Sequence, residues 1–263
     1  MRAALAARPV VLTIAGSDSS GGAGVLADLR TIERHGCHGA AVITAVTAQT
    51  PGRVLDVEPV PIRVLESQLK ATLTGLPVSA VKVGLLPTAA HVQAVAEALG
   101  RATVPVIIDP VAVASDGSAL ADPDVLPALL NELLPLSALV TPNALEVAAL
   151  LGRATPTTAN EQLTAARQLY ARTGAAVLVK GGHVSGPRVV DVLADADGVA
   201  QFAHARVNTP FPVRGTGCIL SSAIACRLTV GLRLRRAIRG ARAHLRYRLL
   251  NAHRSGNDPV AIA

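Results

Sequence analysis

Five consecutive residues, Arg214-Gly215-Thr216-Gly217-Cys218, run straight into the small, apolar stretch Ile219 to Cys226, which reads as a glycine turn opening a helix. The peptide N–H groups of Gly215, Thr216 and Gly217 would point outward there, where unbonded donors and the positive end of the helix dipole favour phosphate oxygens. Cys218 would fall in the first turn, a position that draws a thiol's pKa down. Taken alone, the plainer reading is the stronger one: an ordinary glycine turn with a buried cysteine. The rest of the chain changes that balance.

Other residues able to do chemistry stand at the ends of apolar runs. They are Thr47-Ala48-Gln49, Lys82-Val83-Gly84, Asp109-Pro110-Val111, Thr141-Pro142-Asn143 with Glu146 three residues on, and Lys180-Gly181-Gly182-His183. Each is weak by itself, since Asp109 could cap a helix, Asn143 could start one after Pro142, and His183 reads as structural. Lys180 is one of only three lysines in an arginine-rich chain, which suggests a task that a guanidinium would not serve. An acidic pair, a lysine, an anion-holding turn and a thiol at one sheet edge together describe a phosphoryl-transfer site. Near the N-terminus, Gly22-x-Gly24-x-x-Ala27 formally matches a dinucleotide fingerprint. It lies too far from its strand and lacks the acidic residue about 20 positions on, so NAD binding is rejected. No Walker A sequence occurs, which excludes a P-loop enzyme.

These residues need a scaffold, and the apolar runs supply one. Strands are expected at residues 10–15, 40–47, 80–83, 104–109, 138–141 and 175–180, with a later hairpin at 188–194 and 200–207. Helices are expected around 22–35, 61–75, 88–100, 123–134, 143–152 and 158–173, with two more after Gly217. Strand followed by helix, repeated, means α/β architecture with a mostly parallel sheet covered on both faces, and ligands then bind beyond the carboxyl ends of the strands. With no linker, low-complexity tract or internal repeat, the 263 residues are expected to form a single domain, with residues 1–8 and 255–263 as flexible ends.

Composition narrows the class. No run of 18 apolar residues occurs, so no membrane partner is expected, and residues 1–15 give no credible signal peptide. Three cysteines, Cys37, Cys218 and Cys226, are too few and odd in number for a disulfide framework, which points to a reducing cytoplasm. The net charge of +7 is local: residues 227–254 hold nine Arg and no Asp or Glu, leaving −2 for everything else (7 − 9). There Leu234, Ile238, Ala241, Leu245 and Leu249 recur at helical spacing, with Arg235, Arg239, Arg242 and Arg246 on a neighbouring face. A solvated basic face is the expected reading; RNA or lipid is the sharper alternative. Two Tyr, two Phe and no Trp leave little for bases to stack on, so a nucleic-acid partner is not expected.

The motifs now carry a resemblance. TIAGSDSSGGAG followed by ADLRTIERHG, then AVITAVTAQT, VKVGLL, IIDPVAVASDG, VTPNALEVAALLG, VLVKGGH and GTGC, in order from about residue 10 to 250, resemble the hydroxymethylpyrimidine/phosphomethylpyrimidine kinases. These are the thiamin-pathway branch of the ribokinase-like superfamily. The resemblance implies a ribokinase-like three-layer α/β/α sandwich, commonly a homodimer. It also implies ATP- and Mg²⁺-dependent phosphorylation of 4-amino-5-hydroxymethyl-2-methylpyrimidine and then of its monophosphate. By the matching motifs Gly16, Asp28, Gln49 and Val111 would line the pyrimidine pocket. Asn143 and Glu146 would orient phosphates and Mg²⁺, Asp109 would hold a metal-bound water, and Lys180 would lie near the nucleotide phosphates. Gly215, Thr216 and Gly217 would form the anion hole, and Cys218 would occupy the position of the base, where related sugar kinases carry aspartate.

The chain departs from that pattern in three places. It has Thr50-Pro51 after Gln49 where the family usually has Asn, Ala112 and Ser115 where it usually has Met and Lys, and Pro212-Val213-Arg214 before the glycine turn where it usually has Asn-Thr-His. These changes leave the first phosphorylation safer than the second. They keep open pyridoxal or another hydroxymethyl heterocycle as substrate, and a non-catalytic ligand-binding relative with a basic C-terminal helix as the alternative from another class.

Overall fold

The computed structural model describes residues 7–50, 52–111, 120–254 and 261–262. Its centre is a nine-stranded sheet. Val10–Asp18 (β1), His38–Thr50 (β2), Val78–Val83 (β4), Val106–Ile108 (β5), Leu139–Val140 (β6) and Ala176–Val179 (β7) run parallel. Arg53–Pro59 (β3) closes one edge antiparallel to β2, and the hairpin Arg188–Asp195 (β8) and Gly198–Ala205 (β9) closes the other. The order is β3-β2-β1-β4-β5-β6-β7-β8-β9. The chain leaves β1 toward β2 and later returns to its other side with β4. That reversal opens a crevice at the carboxyl ends of these strands.

The pleat of each strand feeds two cores. Leu12, Ile14, Val81, Val83 and Ile108 face one layer, against Ile62–Gly75 (α2), Ala89–Leu99 (α3), Ala144–Leu151 (α5) and Ala159–Thr173 (α6). Val11, Ala80, Ile107 and Leu178 face the other, against Gly24–Arg34 (α1), Thr216–Thr229 (α7) and Leu234–Leu250 (α8). This is the expected α/β/α sandwich. In α7, Ser221, Ser222, Ala223 and Ala225 are all buried but small. They let the helix lie close to the sheet, while Ile219, Leu220 and Ile224 supply the burial energy, about 1.5–3 kcal/mol each.

Two expectations need correction. The stretch 123–134 is α-helical only over Val125–Ala128 (α4), then widens into a π turn at Leu129–Leu133 and tightens into a 3₁₀ turn at Leu134–Leu136. Pro135 cannot donate a hydrogen bond and its ring crowds the carbonyl of Asn131, so the regular ladder fails. The arginines of α8 do not all face water: Arg242 is buried, with Nε 2.7 Å from Asp191 and a terminal nitrogen 2.6 Å from His204 Nδ1, and Arg235 pairs with Asp195 at 2.6 Å. They tie α8 to the β8–β9 hairpin. Toward the N-terminus, Arg8 pairs with Glu33 at 3.1 Å. Ala261–Ile262 (β12) joins Val213–Arg214 (β10) and His253–Arg254 (β11) in a small second sheet. Residues 1–6, 255–260 and 263, with Pro51, Ala112 and Ser115, lie outside the described residues.

Candidate active site

The glycine turn sits at the crevice. Gly215 is the N-cap of α7 with φ of +80°, and a Cβ there would collide with the carbonyl oxygen of Gly22, so glycine is required on both counts. The first intrahelical bond runs from Ile219 N–H to the Gly215 carbonyl. The orphan donors of the helix start are therefore those of Thr216, Gly217 and Cys218, one residue later than the sequence suggested. A Cβ on Gly217 would lie 3.1 Å from both Asp109 Oδ2 and Lys180 Nζ, which places the turn against a carboxylate–ammonium pair.

That pair is built by three strand ends. Asp109 follows β5, Asn143 follows β6 and Lys180 follows β7, and a bridge between Asn143 and Lys180 locks the last two together. Lys180 Nζ lies 2.6 Å from Asp109 Oδ1 and 3.7 Å from Glu146 Oε2. Thr141 Oγ1 also donates to Asp109, at 3.2 Å. Asn143 and Glu146 form a reciprocal capping box on α5: Asn143 Oδ1 accepts from Glu146 N–H at 2.9 Å, and Glu146 Oε2 accepts from Asn143 N–H at 2.6 Å. Their spacing thus has a helix-starting role, whatever else they do. Burial pushes the Glu146 carboxyl up to about 7, with Asp109 adding to the rise and Lys180 opposing it. For Lys180 burial works against the ammonium, but Asp109 and Glu146 outweigh it and hold its pKa above the ordinary range.

Two carboxyl groups share one lysine, and with Glu146 about half ionised near pH 7 this corner carries a partial surplus of negative charge. No group of three or more His, Cys, Asp or Glu that could hold a metal exists among the described residues. Two carboxylates nevertheless suit Mg²⁺, which keeps several waters and takes further ligands from phosphates. Asp109 and Glu146 fit that donor set.

Beside the turn lies a cavity of about 60 Å³, walled by Gly16, Asp18, Thr47, Gln49, Lys82, Leu85, Val111, Arg214 and Cys218 among others. Gly16, Gln49 and Val111 line it. Asp28 does not: it is fully buried beneath, accepting from Thr13 Oγ1 at 2.6 Å and Ser222 Oγ at 2.8 Å and pairing with Lys82 Nζ at 2.8 Å. With its oxygens so engaged, it reaches the cavity only through Lys82. The acid in the wall is Asp18. Its oxygens bind the N–H groups of Ser20 and Ala23, at 2.8 and 2.9 Å, and one lies 3.5 Å from Arg214 Nε. Gln49 is held at both ends, donating to Thr47 Oγ1 and accepting from Arg214.

Cys218 departs most from expectation. The residue is half-buried at the cavity wall, but its thiol is densely surrounded, and burial pushes it up to about 11. Lys82 and a hydrogen bond from the Gly24 N–H pull the other way and lose. The helix start does not make this thiol acidic.

Sequence reasoning singled out Lys82 and Arg214 but gave them no role in the site, and it passed over Asp18. The signals were present: Asp18 lies inside the SDSSGGAG loop, Arg214 abuts the glycine turn, and Lys82 is another of the three lysines.

Known proteins resemble this chain along nearly its whole length. The chain is 43% identical to the hydroxymethylpyrimidine/phosphomethylpyrimidine kinase of Rhizobium meliloti, over 95% of this chain and 96% of that one. The pyridoxal kinase of Bacillus subtilis in complex with ADP superposes with a TM-score of 0.90 at 30% identity, covering 98% of this chain and 97% of that one. The phosphomethylpyrimidine kinase of Clostridium difficile does so with a TM-score of 0.80 at 30% identity, covering 91% and 99%. The fold is therefore ribokinase-like, as the motifs implied. A sequence model described as phosphomethylpyrimidine kinase matches residues 18–261. Because that stretch holds Asp18, Asp109, Glu146, Lys180 and the whole glycine turn, the chain belongs to the phosphomethylpyrimidine kinase family.

Proposed function

We propose that the protein transfers the γ-phosphoryl group of ATP to the hydroxymethyl oxygen of 4-amino-5-hydroxymethyl-2-methylpyrimidine, and then phosphorylates the resulting monophosphate, in thiamin biosynthesis. The observation that carries this reading is the contact of Gly217 with the Asp109–Lys180 pair. It sets a helix N-terminus and an ammonium on one point, one residue from Cys218 of the cavity wall. Phosphoryl transfer asks mainly for positioning and charge neutralisation, which these groups supply.

In this reading the cavity wall holds the pyrimidine, with Gly16 and Val111 against the ring and Gln49 on its polar edge. The hydroxyl oxygen attacks the γ-phosphorus, the bond to the β-phosphate oxygen breaks, and ADP leaves. The N–H groups of Thr216, Gly217 and Cys218 receive the developing charge, and Lys180 holds the phosphate oxygens. Asp109 and Glu146, with Asn143 beside them, would hold Mg²⁺, which when bound neutralises phosphate charge. Cys218 stands next to the attacking oxygen. With a pKa of about 11 it is almost wholly a thiol at neutral pH and has no site for a second proton, so the hydroxyl proton leaves late, to an oxygen of the transferred phosphoryl group and from there to solvent.

One observation favours a second substrate. The fold overlays a pyridoxal kinase with a TM-score of 0.90, and Arg214, in place of the family's histidine, reshapes the wall beside Gln49. A coupled ADP-release assay over hydroxymethylpyrimidine, its monophosphate and pyridoxal separates the readings. Turnover of the pyrimidine with kcat/KM at least tenfold above pyridoxal supports the first, the reverse ranking supports the second, and no turnover of any of them removes both. The same reading makes the protein a cytoplasmic homodimer, to be checked by its mass in solution.

A further inference from the structure

At the end of α1 opposite the cavity, side chains of α1, α7 and α8 and of the turn after α1 converge on a cluster without acids. His35 and His244 place their ring centroids 4.6 Å apart with planes inclined at 52°. Arg227 lies across α8 so closely that a Cβ on Gly240 would collide with its guanidinium. Arg248 and Arg34 complete the group, and both face His244 electrostatically, as does Arg227. Among the described residues His35 Nε2, Arg227 Nε, His244 Nε2 and Arg248 Nε are buried with no hydrogen-bond partner.

Buried polar atoms in folded proteins are nearly always bonded, and four orphans at one point are a concentrated exception. The electrostatics match. Burial and then neighbouring positive groups lower the pKa of both imidazoles, His244 to about 4, and burial and then Arg34 lower that of Arg248. Glu33, on the same helix, is engaged with Arg8. Asp18, which lies 3.5 Å from Arg214, acts within this group only on Arg30 at its edge. Three guanidiniums drawn together without a counterion are unfavourable unless an anion joins them, and water cannot supply the charge.

We propose that this cluster is a second anion site, which takes a phosphate-type oxyanion between Arg34, Arg227 and Arg248 with His35 and His244 as neutral donors. Guanidinium forks match phosphate oxygens bidentately, and each imidazole can present an N–H. The recessed, three-helix setting favours a small anion over a nucleic acid, which would need an extended track and stacking rings. A second copy of the chain would bring like charge against like.

The test is a histidine-ring NMR titration of the intact protein with inorganic phosphate, against sodium chloride of equal ionic strength. Single His→Gln variants assign the signals. Phosphate should shift the His35 and His244 signals saturably and raise the pH at which His244 titrates, because a dianion favours the charged ring; chloride should do neither. His183, which feels Lys180, reports phosphate binding at the kinase site independently. Arg227→Gln and Arg248→Gln should each weaken the phosphate response about tenfold while kinase turnover stays unchanged. The exposed Arg34→Gln gives the same test should either of those variants fold poorly. Equal shifts in chloride, an unaltered response in all three variants, or a response to an RNA oligonucleotide that strengthens with its length would each overturn the proposal.

Discussion

Lys82 and Lys180 both meet carboxylates under the same crevice, yet the two pairs are built for different ends. Lys82 and Asp28 are completely buried, and Thr13 and Ser222 also donate to Asp28, so the charges balance. Around Lys180 there are two carboxylates, Asp109 and Glu146, and the lysine keeps 14% of its side-chain surface. The first pair is closed. The second is under-neutralised and adjoins a helix start, so it has both the access and the charge imbalance that a phosphate and its metal would relieve. The same pair of residue types yields a strut in one place and a ligand corner in the other; the difference lies in the neighbours.

The comparison breaks first at Lys82. Lys82→Met should destabilise the fold by about 3–5 kcal/mol, because it strands a buried carboxylate, and Lys82→Met with Asp28→Leu should recover most of that in chemical denaturation. A double variant no more stable than the single one would show that the pair is not a closed unit.

Lys180→Met should behave oppositely. Glu146 can take up a proton and so limit the loss of stability, whereas kcat should fall about 10²–10³, as for removal of one transition-state donor. Unfolding curves and steady-state kinetics on the same sample decide it, and an intact kcat would remove Lys180 from the phosphate.

Glu146 sharpens the contrast through pH and metal. Its folded pKa of about 7 lies above the ordinary value of 4.5, so between those values the folded state holds a proton that the unfolded state has lost. Stability from this group is therefore present below about pH 4.5 and is lost as pH rises through 7; Glu146→Gln should flatten that slope. The same variant should weaken the Mg²⁺ dependence of turnover and be partly rescued by excess Mg²⁺. An unchanged Mg²⁺ titration would assign Glu146 to helix capping alone.

The smallest effect is expected at Cys218, which feels Lys82 but is dominated by burial. Cys218→Ala should lower kcat less than tenfold, with KM for ATP near wild type, since a thiol of pKa about 11 is a poor base at rest. A fall of 10² or more would mean that bound substrate lowers that pKa and that a thiolate accepts the proton.

Much of this was legible before the structure. The parallel strands announced themselves as continuous Val, Ile and Ala runs because both faces of the sheet are covered. β3 was not, because an edge strand carrying Arg53, Asp56 and Glu58 has no such run. Residue types at the strand ends named Asp109, Glu146, Lys180 and the glycine turn. They could not choose between Asp18 and Asp28, since both lie in the β1–α1 segment and only its fold shows that one faces the cavity and the other the core. Periodicity likewise put Arg242 on a solvated face, and only the packing of α8 on the hairpin revealed Asp191 waiting beneath it.

By itself, the amino-acid order determined the α/β alternation, the position of the anion turn at a helix start and the family, because these depend on local pattern and on residues close in sequence. The tertiary structure alone decided which lysine is closed and which is open, why the thiol is not acidic, and where unpaired positive charge gathers. Those properties are sums over neighbours from distant strands and helices, and burial, which outweighs the helix start at Cys218, exists only once the chain has packed.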